Sequence, residues 1–259
     1  MTAKTGAAIA SVVVALASAG CLSFYEIAIE TPINAKLDAS QFQRVLVVGF
    51  LAGGSKGIDA NTETARLLRS QLRTKTDLKV VDMDVVSLVD EVEKRHQAAG
   101  NPIAVDSAAV AAGELKIKDA KDLQAYEDIF GDAAYWKKLG EEYQSPLIVT
   151  GSVLFTEAAK SGMVSKPKET FDSMGRRAVE EDRSYVDRKG YILTPKFIFI
   201  DGRTGEQLYT ESLQEETYYP SSQNTPALSS YFELMDKILP SFLTTLSNQK
   251  IRGTRSLLK

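Results

Sequence analysis

Two short, uncharged runs constrain this chain more than any other feature: Val45-Leu46-Val47-Val48-Gly49-Phe50 and Leu147-Ile148-Val149-Thr150-Gly151-Ser152-Val153-Leu154. Each is too short for a core helix and rich in β-branched residues, which predicts strands buried on both faces. A sheet with both faces covered needs helices on each side, so the expectation is an α/β fold: a mixed β-sheet flanked by helices. With 259 residues and 44% hydrophobic content the chain can bury a good core, as one large domain or a domain with an elaborate insertion.

The spacing between the two runs agrees. After Gly53, Gly54 and Gly57, Asp59 or Asn61 is placed to cap a helix on which Ala65, Leu68 and Leu72 recur on one face. Leu78 to Asp82 reads as a second strand and Val85 to Arg95 as a second helix. Residues 97–118 hold Gly100, Pro102 and Gly113 and read as a loop or a loosely packed helix. Helical patterning returns from Asp119 to Tyr143, with Trp136, Leu139 and Tyr143 on a common face, and Pro146 stops it before the second run.

Further on, Tyr191–Ile200 and Gln207–Thr217 flank the turn Asp201-Gly202-Arg203-Thr204-Gly205 and read as a hairpin. Ala227 to Leu246 is a helix that Pro240 is expected to kink or divide. Between the matched strands lie residues 156–190, where 15 of 35 residues are charged and Pro167 interrupts; this reads as a polar excursion. Membrane-spanning strands alternate apolar and polar residues over about nine to eleven positions. That charge density argues against a transmembrane hairpin.

Groups able to do chemistry are sparse. Cys21 is the only cysteine and His96 the only histidine, so histidine-rich metal sites and Cys-His catalysis are unavailable. Gly49 to Lys56 sits between a strand and a helix, but a phosphate loop places Lys before Ser or Thr, whereas here Ser55 precedes Lys56. Asp82 and Asp84 are a pair of carboxylates of the kind common at strand ends. Arg66, Arg69 and Arg73 recur at three and four residues and form a basic stripe opposite the apolar one. A solvated face explains them, and an acidic partner is the functional alternative. No catalytic residue and no metal ligand is assigned.

The amino terminus carries Lys4 and then the uncharged stretch from Gly6 to Ala19, the layout of a secretory signal and shorter than the roughly twenty residues that span a bilayer. It ends Leu16-Ala17-Ser18-Ala19-Gly20-Cys21, which resembles a bacterial lipobox. The resemblance implies cleavage after Gly20, with Ser18, Ala19 and Gly20 as signal-peptidase recognition, and acylation of Cys21. Leu22, where inner-membrane retention usually has Asp, implies the outer membrane with the body in the periplasm. Two or three acyl chains, palmitate among them, anchor firmly at about 0.8 kcal/mol per buried methylene. Losing Lys4 takes the formal charge from −3 to −4, which does not suggest a nucleic-acid partner.

Two phrases carry a family resemblance. Leu139-Gly140-Glu141-Glu142-Tyr143 leading into Leu147–Val153, and Phe199-Ile200-Asp201-Gly202-Arg203-Thr204-Gly205-Glu206, resemble the helix-to-strand and strand-turn-strand passages of a superfamily of envelope lipoproteins. It includes the curli secretion lipoprotein, activator lipoproteins of penicillin-binding proteins and the amino-terminal domain of the Tol-system propeller protein. The resemblance spans roughly residues 43–218. It implies adaptor, assembly or secretion roles and no catalytic residues. A narrower resemblance, to bacterial lipoproteins, rests on Val48-Gly49-Phe50 and on Arg66-Leu67-Leu68-Arg69-Ser70-Gln71-Leu72-Arg73.

The expected organisation is a signal peptide at 1–20, a lipidated tether at 21–42 that begins with a short extended segment around Tyr25, Ile27 and Ile29, an α/β domain at 43–247 with the polar insertion at 156–190, and a basic tail at 248–259. The expected role is a lipid-anchored, non-catalytic binding or assembly factor with no cofactor beyond the lipid on Cys21. Its partners would be the membrane, through the anchor, and a second protein or another copy of itself. The alternatives are a subunit of an oligomeric outer-membrane secretion channel and, more remotely, a nucleotide-binding enzyme.

Overall fold

The computed structural model describes residues 24–103, 116–171 and 173–258. They fall into two compact units, one from the stretches on either side of residues 35–247 and the other from Ala35–Ser247.

The larger unit is a mixed sheet between two helical layers. Its strands are β2 (Arg44–Gly53), β3 (Lys79–Val80), β4 (Leu147–Phe171), β5 (Arg177–Asp201), β6 (Gln207–Ser212) and β7 (Glu215–Pro220). The order is β3-β2-β4-β5-β6, with β7 pairing β5 farther along. β2 runs parallel to β3 and β4, while β5 is antiparallel to β4, β6 and β7.

The two apolar runs are β2 and the inner part of β4, side by side at the sheet centre. Val45, Val47 and Phe50 face α1 (Ala60–Lys75) and α5 (Ala227–Leu246), packing with Leu68, Leu72, Tyr231, Met235 and Phe242. Leu46, Val48 and Leu51 face the opposite layer, which holds α2 (Leu88–Ala98), α3 (Ala120–Gln124), a 3₁₀ turn (Glu127–Gly131) and α4 (Ala133–Glu142). Trp136 of α4 is fully buried there and donates to the Ile129 carbonyl at 2.8 Å. Apolar residues of this strand pair are thus buried on both faces, which is why neither run alternates.

A bulge breaks the β2–β4 register between Val47 and Phe50, leaving Val48 and Gly49 opposite Thr150. The carbonyls it frees are bonded by side chains: Thr150 Oγ1 donates to Gly49 at 2.8 Å, and Arg69 Nη2 of α1 donates to Val47 at 2.7 Å. Asn61 bridges the same region, accepting from the Phe50 amide at 2.7 Å and donating to the Val86 carbonyl at 3.0 Å. Gly49 is required here, because a Cβ would stand 2.2 Å from the Val86 oxygen.

Several boundaries differ from the sequence reading. The second strand is paired only at Lys79–Val80, and the 119–143 helix is divided into α3, the 3₁₀ turn and α4. Gln207–Thr217 splits into β6 and β7 at Leu213-Gln214. Helix α5 runs unbroken through Pro240, which lies on an exposed position, so the Asp236 carbonyl it deprives of a donor is on the solvent side.

The polar insertion continues β4 as far as Phe171 and β5 from Arg177 as paired strands. The extended segment within the tether and the basic tail are strands as well. β1 (Phe24–Ile33) pairs antiparallel with β8 (Gln249–Leu258) along its whole length, and this ribbon is the core of the smaller unit.

Candidate functional site

β4 pairs with β2 only as far as Leu154, and β7 supports β5 only as far out as Arg188. Beyond, Ser161–Phe171 and Arg177–Asp187 form a two-stranded ladder, with the Asp187 carbonyl also accepting from Ser221 at its base. Eleven residues per arm at about 3.4 Å each make a ribbon roughly 37 Å long.

Its register is marked by charge. Lys166 stands opposite Asp182 and Lys168 opposite Glu180 on one face. The other face carries Met163 opposite Tyr185, with Phe171 and Val179 farther out. These four, with Met174 in the turn, are 63–79% exposed. On this face Arg177 pairs with Glu169, and Arg183 with Glu181 at 3.5 Å. The cations and anions thus neutralise one another and leave a row of apolar side chains standing in water. Pro167, opposite Glu181 in an uninterrupted ladder, has no amide hydrogen, so its nitrogen belongs on the open side of β4. It blunts that edge against further strand addition, whereas the 177–187 edge of β5 carries no proline.

At the ribbon's base a cleft of about 330 Å³ lies between Glu157, Lys189, Tyr191, Tyr219 and the loop Gln223-Asn224-Thr225. The Thr225 hydroxyl is buried without a hydrogen-bond partner among the described residues. Tyr191 stacks on Phe155 with ring centroids 4.8 Å apart, which fixes the point where the ribbon leaves the core.

The stripe Arg66, Arg69, Arg73 is not a uniform solvated face. Arg66 is exposed and 3.7 Å from Glu63, and Arg73 pairs with Asp82. Arg69 is half-buried, bonds the Val47 carbonyl, and its guanidinium pKa is lowered by burial. Asp82 is thereby engaged by Arg73, and among the described residues no group of three or more His, Cys, Asp or Glu is placed to hold a metal.

Three amides along the Gly49–Gly57 stretch are already engaged. The Phe50 amide is bonded to Asn61, the Gly54 amide to the Ile117 carbonyl at 3.0 Å, and the Gly57 amide to Ser55 at 3.4 Å. Helix α1 begins three residues after Gly57, and its capping residue Asp59 accepts from the Thr62 amide at 3.1 Å. His96 sits at the end of α2 with Nε2 2.7 Å from Asp128 and Nδ1 3.2 Å from the Asn101 carbonyl. The Asp128 carboxylate raises its pKa above the usual 6.5. Asp201 is buried under Arg203, which grips it with Nε at 2.9 Å and Nη2 at 2.6 Å and holds its carboxyl below the usual carboxylate range.

Cys21 and the recognition residues Ser18, Ala19 and Gly20 lie outside the described residues. Among the described residues no helix is long and apolar enough to cross a membrane.

No family model and no curated protein matches this chain. Among the solved structures similar to it are two with TM-scores below 0.5. One is the lipoprotein GNA1162 from Neisseria meningitidis, 12% identical, covering 77% of this chain and 96% of that one with a TM-score of 0.33. The other, from Helicobacter pylori, is described as a neuraminyllactose-binding hemagglutinin homolog; it is 8% identical and covers 84% and 89% with a TM-score of 0.35.

Proposed function

We propose that this chain is a lipid-anchored envelope protein, held at the outer membrane through Cys21, that acts as a non-catalytic binding or assembly factor. The observation that carries the proposal is the β4–β5 ribbon. A two-stranded ribbon of this length is marginal on its own in water, and this one presents Met163, Tyr185, Phe171 and Val179 on one face with paired charges between them. Such a surface suits a protein partner, which covers the apolar row while the ion pairs form a polar surround.

The channel alternative draws on the ribbon's length, since eleven residues is enough for a membrane-spanning strand. Composition opposes it. Both faces carry cations, Lys166 and Lys168 on one and Arg177 and Arg183 on the other. Each cation facing lipid near mid-bilayer costs about 2–4 kcal/mol.

Photo-crosslinkers at Met163 and Tyr185 in cells, together with a variant in which residues 161–187 are replaced by Asn-Gly, test the proposal. Discrete crosslinked adducts at both positions, lost with the shortened hairpin while the body stays folded, support it. Absence of adducts, with the shortened chain acting as the full one does, removes the ribbon from the function. A ladder of adducts between copies of the chain moves the reading to the oligomer.

A further inference from the structure

The β1–β8 ribbon is a two-stranded sheet of its own, and its two faces differ. Ile27, Ile29, Thr31 and Ile33 share one face, while Glu26, Ala28 and Glu30 share the other, where Arg252 Nε meets Glu30 at 2.9 Å. The three isoleucines are each 38–40% exposed, with Thr31 between Ile29 and Ile33. Opposite Ile29 stands Gly253, which has no side chain to lay across it and where a Cβ would meet nothing within 4 Å. Opposite Ile27 stands the exposed Arg255.

Position in the chain identifies what covers this face. Phe24, where β1 begins, is three residues from Cys21, a separation that spans at most about 11 Å in any conformation. An acylated Cys21 therefore holds the start of the ribbon at the lipid surface. We infer that the isoleucine face of the β1–β8 ribbon lies on the membrane interface, as a second contact beside the lipid anchor. The inference rests on the anchored reading proposed above.

Arg252, Glu26 and Glu30 lie on the opposite face of the ribbon, so the isoleucine face carries one cation, Arg255, and no carboxylate among the described residues. Arg255, on the isoleucine face, can lay its alkyl stem along the apolar surface and place its guanidinium among lipid phosphates. The ribbon lies on the interface and does not cross it, because a two-stranded ribbon has open edges whose amides and carbonyls have no partner in hydrocarbon.

The test uses the full mature chain, acylated in a diderm host and reconstituted in phosphatidylethanolamine–phosphatidylglycerol vesicles. Acylation blocks the sulfur of Cys21, the only native cysteine, so Ile29→Cys and Ala28→Cys each carry one free thiol, on opposite faces. Because an apolar environment disfavours the reactive thiolate, Ile29→Cys is expected to react with a membrane-impermeant maleimide at least about tenfold more slowly than Ala28→Cys. Ile27→Cys serves as a second variant on the same face. Equal reactivity in acylated protein overturns the inference and leaves the anchor standing. Disulfide-linked dimers through Ile29→Cys overturn it in favour of a second copy as the occupant. A wild-type mass without acyl chains, with Cys21 itself open to the maleimide, overturns the anchor and the inference together.

Discussion

Lys168 on the outgoing arm of the ribbon stands directly opposite Glu180 on the returning arm. Two residues inward, Lys166 faces Asp182. Neither face here is buried, so no apolar pattern fixes which residue pairs with which. Opposed charges supply that information, each pair being worth roughly 0.2–1 kcal/mol relative to neutral residues. The double variant Glu180→Lys, Asp182→Lys sets four cations together and is expected to speed amide exchange across 161–187. The body should keep its exchange protection, and adding Lys166→Glu and Lys168→Glu should restore that of the ribbon. Unchanged exchange in the double variant would show that charge does not set the register.

Arg66 and Arg69 of α1 are expected to separate on mutation. Arg69→Ala removes the donor to the bulged Val47 carbonyl and leaves a buried acceptor open, at a cost of about 1–3 kcal/mol. Arg66→Ala, at an exposed position, should stay within about 0.5 kcal/mol of wild type. Urea unfolding of the two variants checks the contrast, which would fail if the two midpoints coincided.

Gly140 packs α4 against the β5–β6 turn so closely that a Cβ would stand 1.9 Å from the Gly202 oxygen. Gly140→Ala forces helix and turn apart and is expected to cost about 1–3 kcal/mol. Gly162→Ala, where a Cβ meets nothing within 4 Å, is the control and should be close to neutral in thermal unfolding.

How much of this was legible in the sequence follows from where each residue's partners lie. β2 and inner β4 were readable because burial on both faces writes itself locally as an unbroken apolar run. The Asp59 cap and the turn headed by Asp201 were readable because their bonds reach only a few residues away. The ribbon was not. Its strands are solvated on both faces, so they lack alternation, and Pro167 gives a local signal for irregular chain even though it sits inside a strand. The β1–β8 pairing was beyond any local window, since Phe24 pairs with Leu258. Arg69 was assigned to a solvated stripe because helical spacing places its Cα there, whereas its long side chain reaches across to a carbonyl that only the bulge exposes.

His96 gives stability a pH dependence whose sign is fixed by Asp128. The carboxylate raises the folded-state pKa above the unfolded value of about 6.5. The contribution is therefore fully present below about pH 6.5 and is lost as pH rises through the raised folded value. Asp128→Asn should abolish this part of the profile and lower the His96 pKa. As His96 is the only histidine, one NMR titration of its ring protons checks the direction without assignment ambiguity.

The most direct measurement of the central claim is intact mass and membrane fractionation of wild type and Cys21→Ser produced in a diderm host. The account expects wild type to begin at an acylated Cys21 and to fractionate with the outer membrane, and the mature body of the Cys21→Ser variant to be released as a soluble monomer. A Cys21→Ser body that stays embedded in the membrane or forms rings, or a wild type without acyl chains, would contradict it.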